Sequence, residues 1–295
     1  MQPMNLLARA CLLVVFLLGF ACSPAKQDFG GKVDEVRRLV SLAPSLTEAV
    51  FALGAGDLLV GRSNYCNYPT RATAVDRVGR MDAPKVERIL ALHPDRVLVT
   101  NLTPADVVAR MQKVGLRVLH LRSDRLGDII ATYKELGILL NLETKAALLI
   151  DQLESAMATL AVNDAPLGSR LKACLLYGLE APYFSAGKDT FPSELMAQAG
   201  FENLADKASL AWPQLDLEWL VQENPDCLFI ATREDTPSKE VKLLQMRSSE
   251  VWSQITAVRK GQVYFITGDA LSVPGLRVID ALKVFSKARV AIEVP

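Results

Sequence analysis

From residue 38 onward, short and nearly unbroken apolar runs alternate with longer stretches in which apolar residues return every three or four positions. The first spacing suits strands buried on both faces, and the second suits amphipathic helices. Strands are predicted at Arg38–Leu42, Arg96–Thr100, Leu116–Leu121, Leu171–Tyr177, Cys227–Ala231 and Val263–Ile266. Helices are predicted from Ser45 to Leu53, Pro84 to Leu92, Thr103 to Gly115, Pro192 to Ala199, Asp216 to Glu223, and onward from about Leu276. Ser45 and Glu48 have the spacing of a capping box, and Thr103 before Pro104 suits a helix start. Such alternation implies βα units around largely parallel sheets. One stretch is longer: Leu142, Ala146, Leu149, Leu153, Met157 and Leu160 recur without a break, enough for a helix of about 30 Å.

The chain also echoes itself. Thr47–Gly54 aligns with Ser193–Gly200, and Val86–Asp95 aligns with Leu217–Asp226. Each member of the second pair places a Glu in the first turn of a helix and Pro-Asp seven residues later, before an apolar strand. The expected fold is therefore α/β, with two similar three-layer α/β lobes bridged by one long rigid helix and a cleft between them. The predicted division is a signal segment at 1–21, a tether at 22–37, an amino-terminal lobe at 38–141, the bridging helix at 142–163 and a carboxyl-terminal lobe at 164–295.

The first 21 residues hold one basic residue, Arg9, and no acid, and Ala10–Ala21 is an unbroken apolar run. Twelve residues rise about 18 Å as a helix, too short for a hydrocarbon core of about 30 Å. A charged start, a short apolar stretch and small residues at the exit mark an export signal. Cys22 follows Ala21 as a lipid-acceptor cysteine would, although Gly19 stands where such signals carry a large aliphatic residue. Export to the periplasm or cell envelope is expected, with lipid attachment at Cys22.

Charge and composition exclude more than they identify. Lys and Arg total 33 against 33 Asp and Glu, which gives no general reason to bind nucleic acid. Only two histidines occur, His93 and His120, and neither belongs to a metal-ligand spacing. No GxSxG elbow is present, and no acid pair is marked for general acid–base work. Gly54–Gly61 follows a helix rather than opening one, so it is a helix stop and turn rather than a phosphate loop. Neither an enzyme nor a resident metal or cofactor is expected. Cys174 and Cys227 lie in apolar runs as small core residues, whereas Cys66 falls in a polar loop.

What remains is a set of aromatic residues placed where elements end. Tyr65 and Tyr68 stand in Ser63–Pro69, Phe184 follows Tyr183 with Phe191 just beyond, and Trp212 stands in Ala211–Gln214. Rings at such places can cover a large, partly apolar ligand while losing few rotamers.

The segments that carry this pattern are RLVSLAPSLTEAVFALGAGDLLVG (38–61), SNYCNYP (63–69), VERILALHPDRVLV (86–99), GKDTFPSELMAQAGFENLA (187–205), WPQLDLEWLVQENPD (212–226) and GDALSVPGLRVIDAL (268–282). Together they resemble the solute-binding proteins of ABC importers for vitamin B12, haem and ferric siderophores, the helical-backbone class, and within it most the cobalamin binders. The resemblance implies capture of a corrinoid in the cleft and delivery to an inner-membrane permease dimer with a cytoplasmic ATPase, by a protein otherwise monomeric. It implies ligand contacts from Tyr65, Tyr68, Phe184, Trp212 and Asp269, and from Met81, which occupies a place where a cobalamin binder can carry a pocket Trp. It also makes Glu87 and Glu218 the permease-docking residues, one on each lobe. A first-turn carboxylate stabilises its helix in any case, by about 0.3–1 kcal/mol. Arg62, Arg80 and Arg277 would equally suit an anionic chelate, so a ferric siderophore is the alternative ligand and haem a further one.

Overall fold

Val40, Val97, Leu98, Val99, Cys227, Leu228, Phe229 and Ile230 are wholly inaccessible to solvent, as strands covered on both faces require. They build the centres of two four-stranded parallel sheets. The computed structural model describes residues 35–162, 170–232 and 238–293. The predicted signal segment, most of the tether and Cys22 lie outside the described residues.

The first sheet is ordered β2-β1-β3-β4, from β1 (Leu39–Ser41), β2 (Leu59–Arg62), β3 (Arg96–Val99) and β4 (Val118–His120). Helices α1 (Pro44–Ala52), α2 (Val86–Ala91), α3 (Ala105–Lys113) and α4 (Leu126–Leu140) accompany it. The long helix α5 (Glu143–Leu160) has 18 residues, about 27 Å. The second sheet is ordered β7-β5-β9-β10, from β5 (Leu171–Leu176), β7 (Phe201–Asn203), β9 (Cys227–Thr232) and β10 (Val263–Thr267). A two-stranded antiparallel ribbon, β6 (Tyr183–Phe184) with β8 (Gln214–Leu215), stands beside it. Helices α6 (Phe191–Gln198), α7 (Leu217–Glu223), α8 (Lys239–Ser248), α9 (Thr256–Lys260), α10 (Asp269–Ser272) and α11 (Val278–Glu293) complete the chain.

Both lobes share one strand order, with β1, β2, β3 and β4 matching β5, β7, β9 and β10. The repeat read from sequence has a structural cause. His93 and Asn224 both adopt left-handed backbone, φ 44° and 45°, just after α2 and α7, and each precedes a proline. The following aspartates then do the same work. Asp95 N–H donates to Arg38 O at 2.8 Å while its carboxylate accepts from Arg37 and Arg38 N–H, each at 2.8 Å. Asp226 N–H donates to Lys172 O at 2.8 Å while its carboxylate accepts from Lys172 N–H at 2.9 Å. Each aspartate thus pins the start of one strand to the start of its neighbour. Gly54 and Gly200 close α1 and α6 at φ 86° and 81°, a conformation that favours glycine.

The lobes are not separate globules joined by a rod. One apolar core runs from Leu46 and Val50 of α1, through Tyr133 and Leu136 of α4 and Leu149 and Leu153 of α5, to Leu195 of α6, Phe229 and Phe285. Helix α5 packs along α4 and α11 rather than spanning solvent. The described residues from Val36 onward accordingly form one compact unit. Each sheet keeps its own core on its other face, around Ile89 and Met111 in one lobe and Cys174 and Trp252 in the other.

Several expectations change. Ser45 and Glu48 make no capping box: Ala43 is the N-cap of α1, Ser45 is inside the helix, and Glu48 is engaged elsewhere. Thr103 does not cap α3, whose N-cap is Pro104, and its buried hydroxyl has no hydrogen-bond partner. The expected tether reaches to residue 37, yet Val36 is already in the core. Cys66 is in a loop but fully buried, its Sγ 3.2 Å from Ser63 Oγ, and burial pushes the thiol up. The spacing argument does not identify β2, α4, β6, β7, β8, α8 or α9. Helix α4 hides because it packs against both α1 and α5, which makes its sequence apolar around much of its girth.

The two N–H donors hold Asp95 below its ordinary carboxyl pKa of 3.8, the bond from Arg37 contributing most. A depressed folded-state value means that this contribution is complete above the unfolded value and is lost as pH falls through the folded one. Asp95→Asn should cost about 1 kcal/mol at neutral pH in urea unfolding and flatten the acid limb of the stability profile below about pH 4.

Candidate functional site

In parallel α/β sheets, ligands meet the carboxyl ends of the strands, because loops there are free to vary while the sheet holds their roots. At the end of β2, Arg62 is 1% exposed and donates to Ser63 O and Thr73 O, both at 3.1 Å. That buried guanidinium and the buried Cys66 anchor the loop from inside, leaving Tyr65 and Tyr68 facing solvent, 43% and 49% exposed. Met81 is half-buried in a bend closed by the bridge between Gly79 and Pro84.

On the other lobe, Phe184 sits opposite Gln214 in the ribbon, and Ser185 N–H donates to Pro213 O at 2.9 Å. This pairing brings Phe184 and Trp212 onto one small platform, both 46% exposed. Trp212 rests on Tyr177, ring centroids 5.9 Å apart and tilted by 57°. Tyr177 is fixed in turn by its hydroxyl, which donates to Leu271 O at 2.6 Å. Beside the platform opens a cavity of about 770 Å³ whose lining includes Tyr177, Thr232, Lys242, Gln245, Gly268 and Asp269. Tyr177, Thr232, Gly268 and Asp269 end or follow β5, β9 and β10, whereas Lys242 and Gln245 come from α8.

Arg277 joins the two sides. Its Nε donates to Glu48 Oε2 at 2.9 Å and its Nη2 to Glu48 Oε1, while Nη1 donates to Asp269 Oδ2 at 3.0 Å. The guanidinium carbon also lies 4.5 Å from the centre of the Tyr68 ring. Glu48 and Tyr68 belong to the first lobe, Asp269 and Arg277 to the second. Burial pushes the Glu48 carboxyl up, against the pull of the guanidinium. A pair so placed fixes geometry more than it adds net stability.

A second connection crosses elsewhere. Arg125, at the N-cap of α4, donates through Nε to Glu194 Oε1 at 2.6 Å and through Nη1 to Asp189 Oδ1 at 3.0 Å. Leu126 N–H donates to Glu194 Oε2 at 2.8 Å, and Phe191 N–H donates to Asp124 O at 2.7 Å.

The structure thus links Tyr68 to Asp269 through Arg277, and Phe184 to Trp212 through the ribbon. Among the described residues no hydrogen bond, ion pair or ring contact joins Tyr65 or Met81 to the opposite lobe. Glu87 and Glu218 are exposed on the first turns of α2 and α7, at equivalent places in the two lobes. Sequence reasoning missed Glu48, Glu194, Arg125 and Tyr177. The one available signal was the repeat itself, which aligns Glu48 with Glu194. Arg62, Arg80 and Arg277, the cations considered for an anionic ligand, are all engaged within the protein; Arg80 makes a bidentate pair with Asp82 at 2.8 and 2.7 Å. Among the described residues no group of three or more His, Cys, Asp or Glu side chains is arranged to hold a metal ion, and no helix is long and apolar enough to cross a membrane.

Two parallel α/β lobes on a shared helical core, with aromatic side chains at the strand ends, define a bilobal solute-binding protein. The chain belongs to the periplasmic binding protein family, whose profile matches residues 39–270. It is 27% identical over 255 residues to the uncharacterized ABC transporter substrate-binding lipoprotein YvrC of Bacillus subtilis, covering 84% of this chain and 78% of that one. It is 26% identical over 289 residues to the vitamin B12-binding protein of Vibrio campbellii, covering 95% and 94%. Its fold matches the crystal structure of the periplasmic vitamin B12 binding protein BtuF of Vibrio cholerae with a TM-score of 0.75, at 23% identity, covering 88% of this chain and 99% of that one.

Glu48→Ala should lower stability by about 3 kcal/mol in urea unfolding, because Arg277 keeps only Asp269 and loses its buried partner. The apolar double variant E48M/R277M should recover most of that loss, showing that the pair positions rather than stabilises.

Proposed function

We propose that the interlobe cleft takes a corrinoid, cobalamin or a relative, and that the loaded protein delivers it to an inner-membrane permease dimer powered by a cytoplasmic ATPase. The protein is the solute-binding component of an ABC transporter in this reading, and the corrinoid is cargo rather than a cofactor. One observation carries the choice of ligand. Both lobes present exposed rings, Tyr65 and Tyr68 on one and Phe184 and Trp212 on the other, while Arg80 and Arg277 are paired with carboxylates and Arg62 is buried on main-chain carbonyls. Such a cleft suits a broad, uncharged ring system with polar edges better than an anionic chelate. Met81 and Asp269 line its margin. Haem is disfavoured by the absence of histidine from these loops. The B12-binding relative, matched over nearly its whole length, supports the same reading.

Glu87 and Glu218 are the docking residues: equivalent carboxylates on equivalent helices suit a two-fold partner that presents one basic patch twice. Cys22 carries the lipid that holds the protein at the membrane.

Absorbance titration of the mature protein with cyanocobalamin, cobinamide, haemin and a ferric-siderophore panel tests the ligand. Corrinoids should bind, and Trp212→Ala should weaken them by about 30-fold, as loss of a buried aromatic anchor does. Preference for haemin or a siderophore, or unchanged affinity in folded W212A, would reject the reading.

Docking is tested apart from binding. E87R/E218R should bind corrinoid normally, at a cost to the fold of about 1–2 kcal/mol, yet fail to stimulate permease ATPase in proteoliposomes. Full stimulation would exclude these glutamates from the contact.

A further inference from the structure

The two connections between the lobes are copies of each other. Glu48 of α1 and Glu194 of α6 occupy aligned positions of the internal repeat. Their partners also correspond, since Arg277 immediately precedes α11 and Arg125 immediately precedes α4, the helices that follow matching strands β10 and β4. Each lobe therefore sends a glutamate to an arginine at the head of the other lobe's terminal helix. Points related by a two-fold repeat fall on opposite sides of its axis. Within the shared core one tie fixes a single point of contact between the lobes, whereas two ties together fix both their separation and their angle.

We infer that these reciprocal Glu–Arg ties set the width of the cleft, and thereby select ligands by thickness, with Arg125 and Glu194 acting as positioning residues. The surroundings of the two ties differ in a way that makes the inference testable. The Glu48–Arg277 tie touches Tyr68 and Asp269, so changing it also changes candidate ligand contacts. The Arg125–Glu194 tie touches Asp189 and main-chain groups of α4, and none of the candidate ligand residues. Its side chains are 50% and 25% exposed, so an ion pair there adds little to global stability. What it supplies is a definite place for α6 against α4, reinforced by the main-chain bond from Phe191 to Asp124. The selectivity part of the inference rests on the cleft being the ligand site; the geometric part does not.

The test uses the mature protein with spin labels at K113C and K260C, exposed positions on α3 and α9 in different lobes; the native cysteines at 66, 174 and 227 are buried. The parent should give one narrow distance distribution. R125E and E194R should each broaden or shift it, and R125E/E194R should return it most of the way, since the reversed ion pair re-forms while Leu126 N–H loses its acceptor and the carboxylate introduced at position 125 stands beside Asp189. Cyanocobalamin affinity should fall about tenfold in each single variant and return to within about threefold in the double, with thermal unfolding barely changed throughout. If a reversal prevents folding, R125Q and E194Q replace the single variants and should show the same broadening. Unaltered distances in the single variants, or a double variant that behaves as the sum of the two, would overturn the inference. If no form of the protein binds cyanocobalamin, the corrinoid reading fails, and the distance measurements still decide whether the ties hold the lobes.

Discussion

A guanidinium held between two carboxylates, at the seam of two lobes, is the constraint around which the site is organised. Arg277 is 20% exposed and Glu48 8%, so their charges have left much of their hydration behind and depend on each other for compensation. That dependence is directional. It holds the first helix of one lobe against the last helix of the other, and it holds Tyr68 under the same guanidinium at 4.5 Å. The shared apolar core supplies the cohesion behind this contact, but apolar packing alone is tolerant of sliding. The ion pair is what specifies register.

Internal duplication explains why the molecule has this form. Both lobes repeat the same sequence of events: a helix, a left-handed residue, a proline, and an aspartate that staples one strand to its neighbour. The staple sits at the amino edge of each sheet, away from the cleft, so it stabilises the scaffold without constraining the loops at the carboxyl edge. Those loops then diverge. In the first lobe a buried arginine anchors a tyrosine-bearing loop from inside; in the second a two-stranded ribbon carries Phe184 and Trp212. The scaffold is symmetric, whereas the loops at its carboxyl edge are not.

The three arginines near the aromatic loops are engaged within the protein. Arg62 is committed to main-chain carbonyls, Arg80 to Asp82, and Arg277 to Glu48 and Asp269. Each commitment makes a cation structural support for a nearby aromatic residue or loop. Rings supported in this way lose few rotamers on binding, which lowers the entropic cost of covering a broad surface.

Periodicity and local chemistry determined much of this in the chain itself. Apolar runs such as Cys227–Ala231 become central parallel strands because only a residue apolar on both faces can sit between two layers of helices. The repeated Glu and Pro-Asp positions marked two similar lobes, and glycines 54 and 200 marked where their first helices end. The aromatic residues at 65, 68, 184 and 212 stood out as rings beside prolines and element ends, and the structure leaves them exposed; Phe191, marked on the same ground, is buried in the core. The tertiary structure alone decided the rest. Glu48 read as a local helix-capping acid, since the spacing to Ser45 allows it; its actual partner is 229 residues away. Arg277 read as a cation available to a ligand, until two carboxylates from opposite lobes were seen to claim it. Helix α4 concealed its period because it packs against both α1 and α5. A sequence records which groups are able to pair, but which of many possible partners a charge takes is set by the distances that folding creates.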